Sequence, residues 1–167
     1  MSSQAEGKLK AHGSCLCKAV RYELNADAEV LWYNLCHCKD CQKASGSAFM
    51  ANPGFSKTQS EYKITQGEAA LGIWTVCDTT SGKPVARYFC TKCGSPIKLE
   101  LPLSPHHERE TSAVLTPEEL ERLDYVIIPT GTLDDPVEWT PQQEIFCKDR
   151  FSWLKDVQLD IPHVLGQ

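Results

Sequence analysis

Alternating or β-branched hydrophobic runs recur along the chain at residues 19–24, 30–35, 48–52, 61–65, 71–76, 85–89 and 96–101. Turn formers separate them: Asn25 and Asp27, Pro53-Gly54, Gly67, Ser81-Gly82 and Gly94. Period-two alternation sends successive side chains to opposite faces, so these runs predict short strands. Strands at this spacing predict a mainly β fold, a sandwich or folded sheet, not βαβ units. A last strand pair is predicted at 125–129 and 144–148. Helical pattern is confined to one turn at 39–44 and a clearer helix at 116–123. There Thr116 is the expected N-cap, Pro117 takes the first helical position and Glu119 the capping-box position.

Composition narrows the class. A chain of 167 residues suggests one domain that buries on the order of two thirds of its unfolded surface. Hydrophobic residues make up 41% and charged residues 23%, which excludes a disordered chain. No apolar run approaches the roughly 20 residues of a spanning helix, so no membrane association is expected. The first residues, MSSQAEGKLK, lack the apolar centre of an export signal, and a cytoplasmic location is predicted. A net charge of −5 argues against unspecific binding to nucleic acid or an acidic membrane. Residues 1–10 read as a flexible N-terminus, 11–155 as the domain and 156–167 as a tail. The chain is free to form a homo-oligomer.

Nine cysteines change this picture most. The number is odd and no export signal precedes them, so metal binding is a better reading than a disulfide framework. Cys15-Leu16-Cys17, Cys36-His37-Cys38-Lys39-Asp40-Cys41 and Cys90-Thr91-Lys92-Cys93-Gly94 form three clusters. Cys77 and Cys147 stand alone in strand-like runs and are expected as small buried hydrophobes. In Cys90–Cys93 the following glycine permits the turn that brings two sulfurs together. Cys15 and Cys17 can supply the other two if the chain turns at Gly13-Ser14. Residues two apart on a strand share a face. Cys15, Cys17, Cys90 and Cys93 would then make a closed structural zinc site. Such a site supplies roughly 10–16 kcal/mol of apparent folding free energy.

Cys36, Cys38 and Cys41 lack an obvious fourth ligand. Three protein ligands leave one tetrahedral position for water or substrate, the pattern of a catalytic zinc. Two zinc ions per chain are therefore predicted. His37 lies between two ligands and should point away from the metal, toward a supporting or surface position. Three thiolates leave the site net negative, which favours thiol chemistry over water activation. The zinc deaminases are a counter-example. Their motif order fails here, because His106-His107-Glu108 follows both cysteine clusters that could qualify.

These motifs carry a resemblance. Gly13-Ser14-Cys15-Leu16-Cys17 with Val20-Arg21-Tyr22 resembles the opening motif of the glutathione-dependent formaldehyde-activating enzyme family, which includes centromere protein V. The run from Cys36 to Gly46 resembles its central motif, and Phe89-Cys90-Thr91-Lys92-Cys93-Gly94-Ser95-Pro96 its third. Gly131-Thr132-Leu133-Asp134-Asp135-Pro136 and the run from Ile145 to Leu154 resemble its C-terminal pair. The resemblance implies a zinc-bearing β-tent of packed antiparallel sheets. It implies a structural zinc on Cys15, Cys17, Cys90 and Cys93, and a catalytic one on Cys36, Cys38 and Cys41. The implied activity is carbon–sulfur bond formation between a small-molecule thiol, glutathione, and formaldehyde, or its reverse.

Some features depart from the family pattern or stand beside it. Gln42 replaces an arginine common after the last central cysteine. Residues 101–124 read as an insertion, carrying His106 and His107, that either covers the open site or leaves it as a solvated excursion. Lys39, Lys43, Arg87, Lys92 and Lys98 either attract an anionic thiol or stand as ordinary exposed charge. Lys148, Arg150, Ser152 and Trp153 are expected to pack and anchor the chain end. Trp32, Phe49 and Phe55 line the pocket or belong to the core. Two other functions stay open: elimination, hydration or hydrolysis of another metabolite on the same zinc, and a non-catalytic zinc-stapled binding module.

Overall fold

The computed structural model describes residues 10–79, 81–102, 117–156 and 162. Among these residues ten strands form two sheets. In chain order they are β1 (Lys10–Ser14), β2 (Arg21–Asn25), β3 (Trp32–Cys36), β4 (Met50–Ser56), β5 (Lys63–Gln66), β6 (Leu71–Val76), β7 (Val85–Cys90), β8 (Pro96–Glu100), β9 (Tyr125–Ile127) and β10 (Gln143–Ile145). Three short helices interrupt them: α1 (Lys39–Ser45), α2 (Lys57–Ser60) and α3 (Pro117–Asp124). One sheet has the order β1-β2-β5 and the other β10-β3-β4-β9-β8-β7-β6. The mainly β prediction holds. Every pairing is antiparallel except β10, which adds to the edge of β3 in parallel.

The core lies where the sheets face each other. Alternation on β2 turns Tyr22 and Leu24 inward, where they meet Phe55, Ile97 and Val126 of the large sheet. A second, smaller cluster lies on the far side of the large sheet and contains Cys36, Cys38, Cys41, Met50, Leu99 and Ile127. Val126 and Ile127 are neighbours on β9 and go one to each cluster, as the pleat requires. The 131–136 motif clasps β1 and its partner β2. Thr132 Oγ1 lies 2.7 Å from Tyr22 Oη, Ser14 Oγ donates to Asp134 (2.9 Å), and the His12 amide donates to Asp135 (2.8 Å).

Several local expectations need correction. Pro53-Gly54 does not end a strand, because β4 runs through it. Trp32 lies across Gly54, where an added Cβ would sit 2.2 Å from the indole. Strand β1 was missed because Lys-Ala-His-Gly-Ser has no apolar alternation; its order comes from β2 and the clasp. The strand predicted at 144–148 stops at Ile145. Phe146 adopts a left-handed backbone (φ 57°) and opens a 3₁₀ turn at Cys147–Asp149. Cys147 is therefore half-buried, and Cys77, just beyond β6, is exposed. Neither is core filler. Helix α3 forms close to its predicted bounds, and Asp124 ties its end to Ser56 and Thr58. Thr116, His106 and His107 lie outside the described residues.

Two glycines with positive φ separate backbone strain from collision. Gly46 (φ 63°) ends α1 with nothing within 4 Å of an added Cβ, whereas at Gly67 (φ 79°) the Cβ would sit 1.9 Å from the Ala19 carbonyl oxygen. Gly46→Ala is expected to cost about 1 kcal/mol, the backbone term alone. Gly67→Ala should cost more than about 2 kcal/mol, because the β2–β5 pairing must also shift. Urea denaturation of both variants checks this; equal losses would remove the carbonyl collision as the cause.

Candidate metal centres

Two tight turns assemble the four-cysteine group. The β1–β2 turn closes through the Cys15 amide to the Val20 carbonyl (3.1 Å) and the Lys18 amide to the Cys15 carbonyl (2.8 Å). Lys18 takes a left-handed backbone there (φ 59°). The β7–β8 turn closes through the Gly94 amide to the Cys90 carbonyl (2.8 Å), with Gly94 at φ 76°. The sequence placed the first turn at Gly13-Ser14, but those residues complete β1 and pair with β2, so Cys15 and Cys17 converge from a turn and not from one strand face. Cys15 and Cys17 sulfurs are 3.5 Å apart and those of Cys17 and Cys90 3.9 Å. All four lie within 4.8 Å of one another. Zinc–sulfur bonds of about 2.3 Å in a tetrahedron set sulfurs about 3.8 Å apart, so this donor set fits zinc. The Ser95 hydroxyl and amide hold the Cys93 thiol down at about 5, which suits a thiolate ligand.

The three-cysteine group sits at a strand-to-helix junction. Cys36 ends β3, Cys38 is the N-cap of α1, and Cys41 lies one turn into the helix. All three are buried, and their sulfurs also lie within 4.8 Å of one another, with Cys36 and Cys38 at 3.5 Å. Thiol donors from Cys36 and Cys41, then the Cys41 and Asp40 amides, hold the Cys38 thiol down at about 2. Cys36 is pushed well up by sharing the cluster with Cys38 and Cys41. Cys38 sits at the helix N-terminus, where backbone N–H groups favour an anion. Cys41 Sγ accepts from Asn52 Nδ2 (3.7 Å) and Arg87 Nη2 (3.8 Å).

Beside this group is a cavity of about 180 Å³, lined by Cys36, Cys38, Cys41, Trp32, Asn52 and Arg87 among others. A larger cleft of about 650 Å³ lies elsewhere; it touches Cys15 and none of the three central cysteines. The smaller cavity is the chemically relevant one, because reactive sulfurs line it.

His37 points away from the cluster, as its alternation predicts, but it is fully buried and not on the surface. Its Nε2 lies 3.4 Å from Glu144 Oε1, and Arg150 Nε lies 3.2 Å from Glu144 Oε2. Its amide donates to the Ile145 carbonyl (3.0 Å), and its ring packs edge-on against Phe49. Gln42 donates to the Asp149 and Ala48 carbonyls (3.0 and 3.2 Å), fastening α1 to the C-terminal segment. Sequence reasoning missed Glu144 and Asn52. A glutamate within an apolar run was the available signal for the first.

Other candidates fall into place. Trp32 lines the small cavity, Phe49 supports His37, and Phe55 is core. Lys98 lies over Tyr88 and pairs with Glu100, while Lys43 and Lys92 are exposed. Lys39 lies over Phe151. Lys148, Ser152 and Trp153 are exposed, so Arg150 does the anchoring in that segment.

The profile of the glutathione-dependent formaldehyde-activating enzyme family matches residues 10–149. The chain belongs to this family. A protein of Rhodobacter sphaeroides known from a crystal structure shares the fold, with a TM-score of 0.50 at 13% identity, over 91% of this chain and 98% of that one. No curated protein matches the chain. Family membership and the two sulfur groups agree: each group could hold a metal ion, in a donor set compatible with zinc. No described helix is long and apolar enough to cross a membrane.

Removing Arg150 leaves Glu144 buried beside His37 without that cation. Arg150→Ala is expected to cost about 3 kcal/mol and to speed hydrogen exchange at the His37 amide. Urea denaturation and exchange mass spectrometry test both; a loss under about 0.5 kcal/mol with unchanged exchange would mean that the pair does not hold the cysteine loop.

Proposed function

We propose that the protein is a zinc-dependent enzyme of carbon–sulfur lyase type. It acts on glutathione, or a similar thiol, and a small carbonyl compound such as formaldehyde. The observation that carries this reading is the asymmetry of the two cysteine groups. Four sulfurs from two turns complete one tetrahedral set, while three sulfurs with a cavity beside them leave one position for a ligand. Cys15, Cys17, Cys90 and Cys93 hold the structural ion. Cys36, Cys38 and Cys41 hold the catalytic one, which lowers the pKa of a bound thiol and so supplies nucleophile at neutral pH.

The chain's own residues then have defined tasks. Asn52 and Arg87 donate to Cys41, drawing charge from that sulfur and fixing its direction. The cavity admits the sulfur end of the substrate and the carbonyl compound together. Once the thiol proton has gone to solvent, sulfur bonds to the carbonyl carbon. The π pair moves to oxygen, which takes a proton from water, giving the hemithioacetal. His37 is not that proton donor, because it is sealed on the opposite side against Glu144. None of the nine cysteines forms a disulfide, in keeping with work in a reducing compartment such as the cytoplasm.

Metal analysis of purified protein should give two zinc per chain. Cys38→Ser should fold, lose one zinc and lose thiol–formaldehyde condensation activity by more than about 100-fold. Cys90→Ser should fail to fold, following the loss of a closed structural site. A reproducible content of one zinc in active wild type, or equal unfolding of both variants, would sink the division into closed and open centres.

A further inference from the structure

Arg87 distinguishes this cavity from a merely reactive one. It projects from β7 onto the cavity wall beside Cys41, with Nη2 3.8 Å from the Cys41 sulfur. Its Nε and Nη1 are sealed within the protein and make no hydrogen bond. Among the described residues no carboxylate forms an ion pair with it. The lysines near the motifs differ: Lys98 is neutralised by Glu100, and Lys39, Lys43 and Lys92 lie at the surface. A guanidinium held in a wall of low dielectric, with one sulfur as its partner, lacks compensation. Asn52 repeats the pattern, since Nδ2 donates to Cys41 while Oδ1 is buried without a partner.

We infer that the cavity selects a small thiol bearing a carboxylate, with Arg87 as the specificity-determining residue. This inference rests on the open three-cysteine centre proposed above and names its substrate class. The geometry limits the ligand. Guanidinium and Cys41 sulfur are 3.8 Å apart, so a ligand whose sulfur reaches the cluster must carry its carboxylate only a few bonds away. The cavity's size of about 180 Å³ agrees. It is smaller than the roughly 300–1,000 Å³ that encloses a drug-sized ligand. A two- or three-carbon mercapto acid fits inside, whereas a tripeptide thiol must leave most of its length outside. The rest of the lining includes Trp32, Leu99 and Ile127, which suit a short methylene link. Paired with a carboxylate, Arg87 gains the charge-assisted hydrogen bond that the protein itself does not give it. A lysine would not be equivalent, since its point charge and flexible stem do not hold carboxylate and Cys41 sulfur at once.

The test compares 3-mercaptopropionate with its methyl ester, which has the same thiol and no charge. Calorimetric titration uses zinc-loaded protein of measured metal content. Wild type is expected to bind the acid at least about ten-fold more tightly than the ester. Arg87→Gln should bind both with the affinity of the ester. Equal binding of the two thiols by wild type overturns the inference and leaves the open centre standing. Discrimination that persists in metal-replete Arg87→Gln also overturns it. Binding of neither thiol overturns the open centre, and this inference with it. A wild-type crystal soaked in 3-mercaptopropionate reads the same point without a variant. The carboxylate is expected against the Arg87 guanidinium, and a carboxylate turned to solvent overturns the assignment.

Discussion

The convergence of Cys15, Cys17, Cys90 and Cys93 is the constraint on which the rest of the molecule depends. The first two belong to a turn of the three-stranded sheet and the last two to a turn of the seven-stranded sheet. Joining them fastens the two layers at one point, and Cys15 and Cys90 are themselves part of the core between the layers. A metal ion held by these four sulfurs would remove the freedom of the layers to slide. Strand β1 shows the dependence most plainly. It has no apolar pattern, yet it is ordered between β2 and the clasp formed by Thr132, Asp134 and Asp135.

The second centre is held differently. Its three sulfurs come from six residues of consecutive chain, so local geometry brings them together: a strand end, an N-cap and one helical turn. Long-range contacts supply rigidity. His37 meets Glu144, which Arg150 pairs with in turn, Gln42 reaches the Asp149 carbonyl, and β10 adds in parallel to β3. The C-terminal segment thus braces the cysteine loop through Glu144, Asp149 and Arg150, while its Ile145 and Phe146 form part of the cavity wall. Buried polar pairs stabilise little on balance, but they penalise every arrangement that leaves one member unpaired. That cost is what holds a short metal loop in register.

Much of the fold was legible because the strands alternate, and period-two alternation is a local signal. The errors arose where a neighbouring residue decided the outcome. Pro53-Gly54 reads as a turn, yet Gly54 is the place where Trp32 crosses the strand. The run at 144–148 reads as one strand until Phe146 turns left-handed, which leaves Cys147 outside the ladder. Arg87 and the surface lysines look alike in sequence, and only their surroundings separate them.

The sequence by itself determined which sulfurs can cooperate, because Cys-x-Cys and Cys-x-x-Cys spacings bring thiols together wherever the backbone turns. It also determined the family and the mainly β class, since motif order and alternation are properties of the chain. Tertiary structure decided what lies around each sulfur. It sealed His37 away from the cluster, left a cavity beside Cys36, Cys38 and Cys41, and set Arg87 in that cavity's wall. The physical reason is the range of each determinant. Ligand spacing depends on a few backbone angles, whereas access, charge and dielectric at a sulfur depend on residues tens of positions away that the sheets bring into contact.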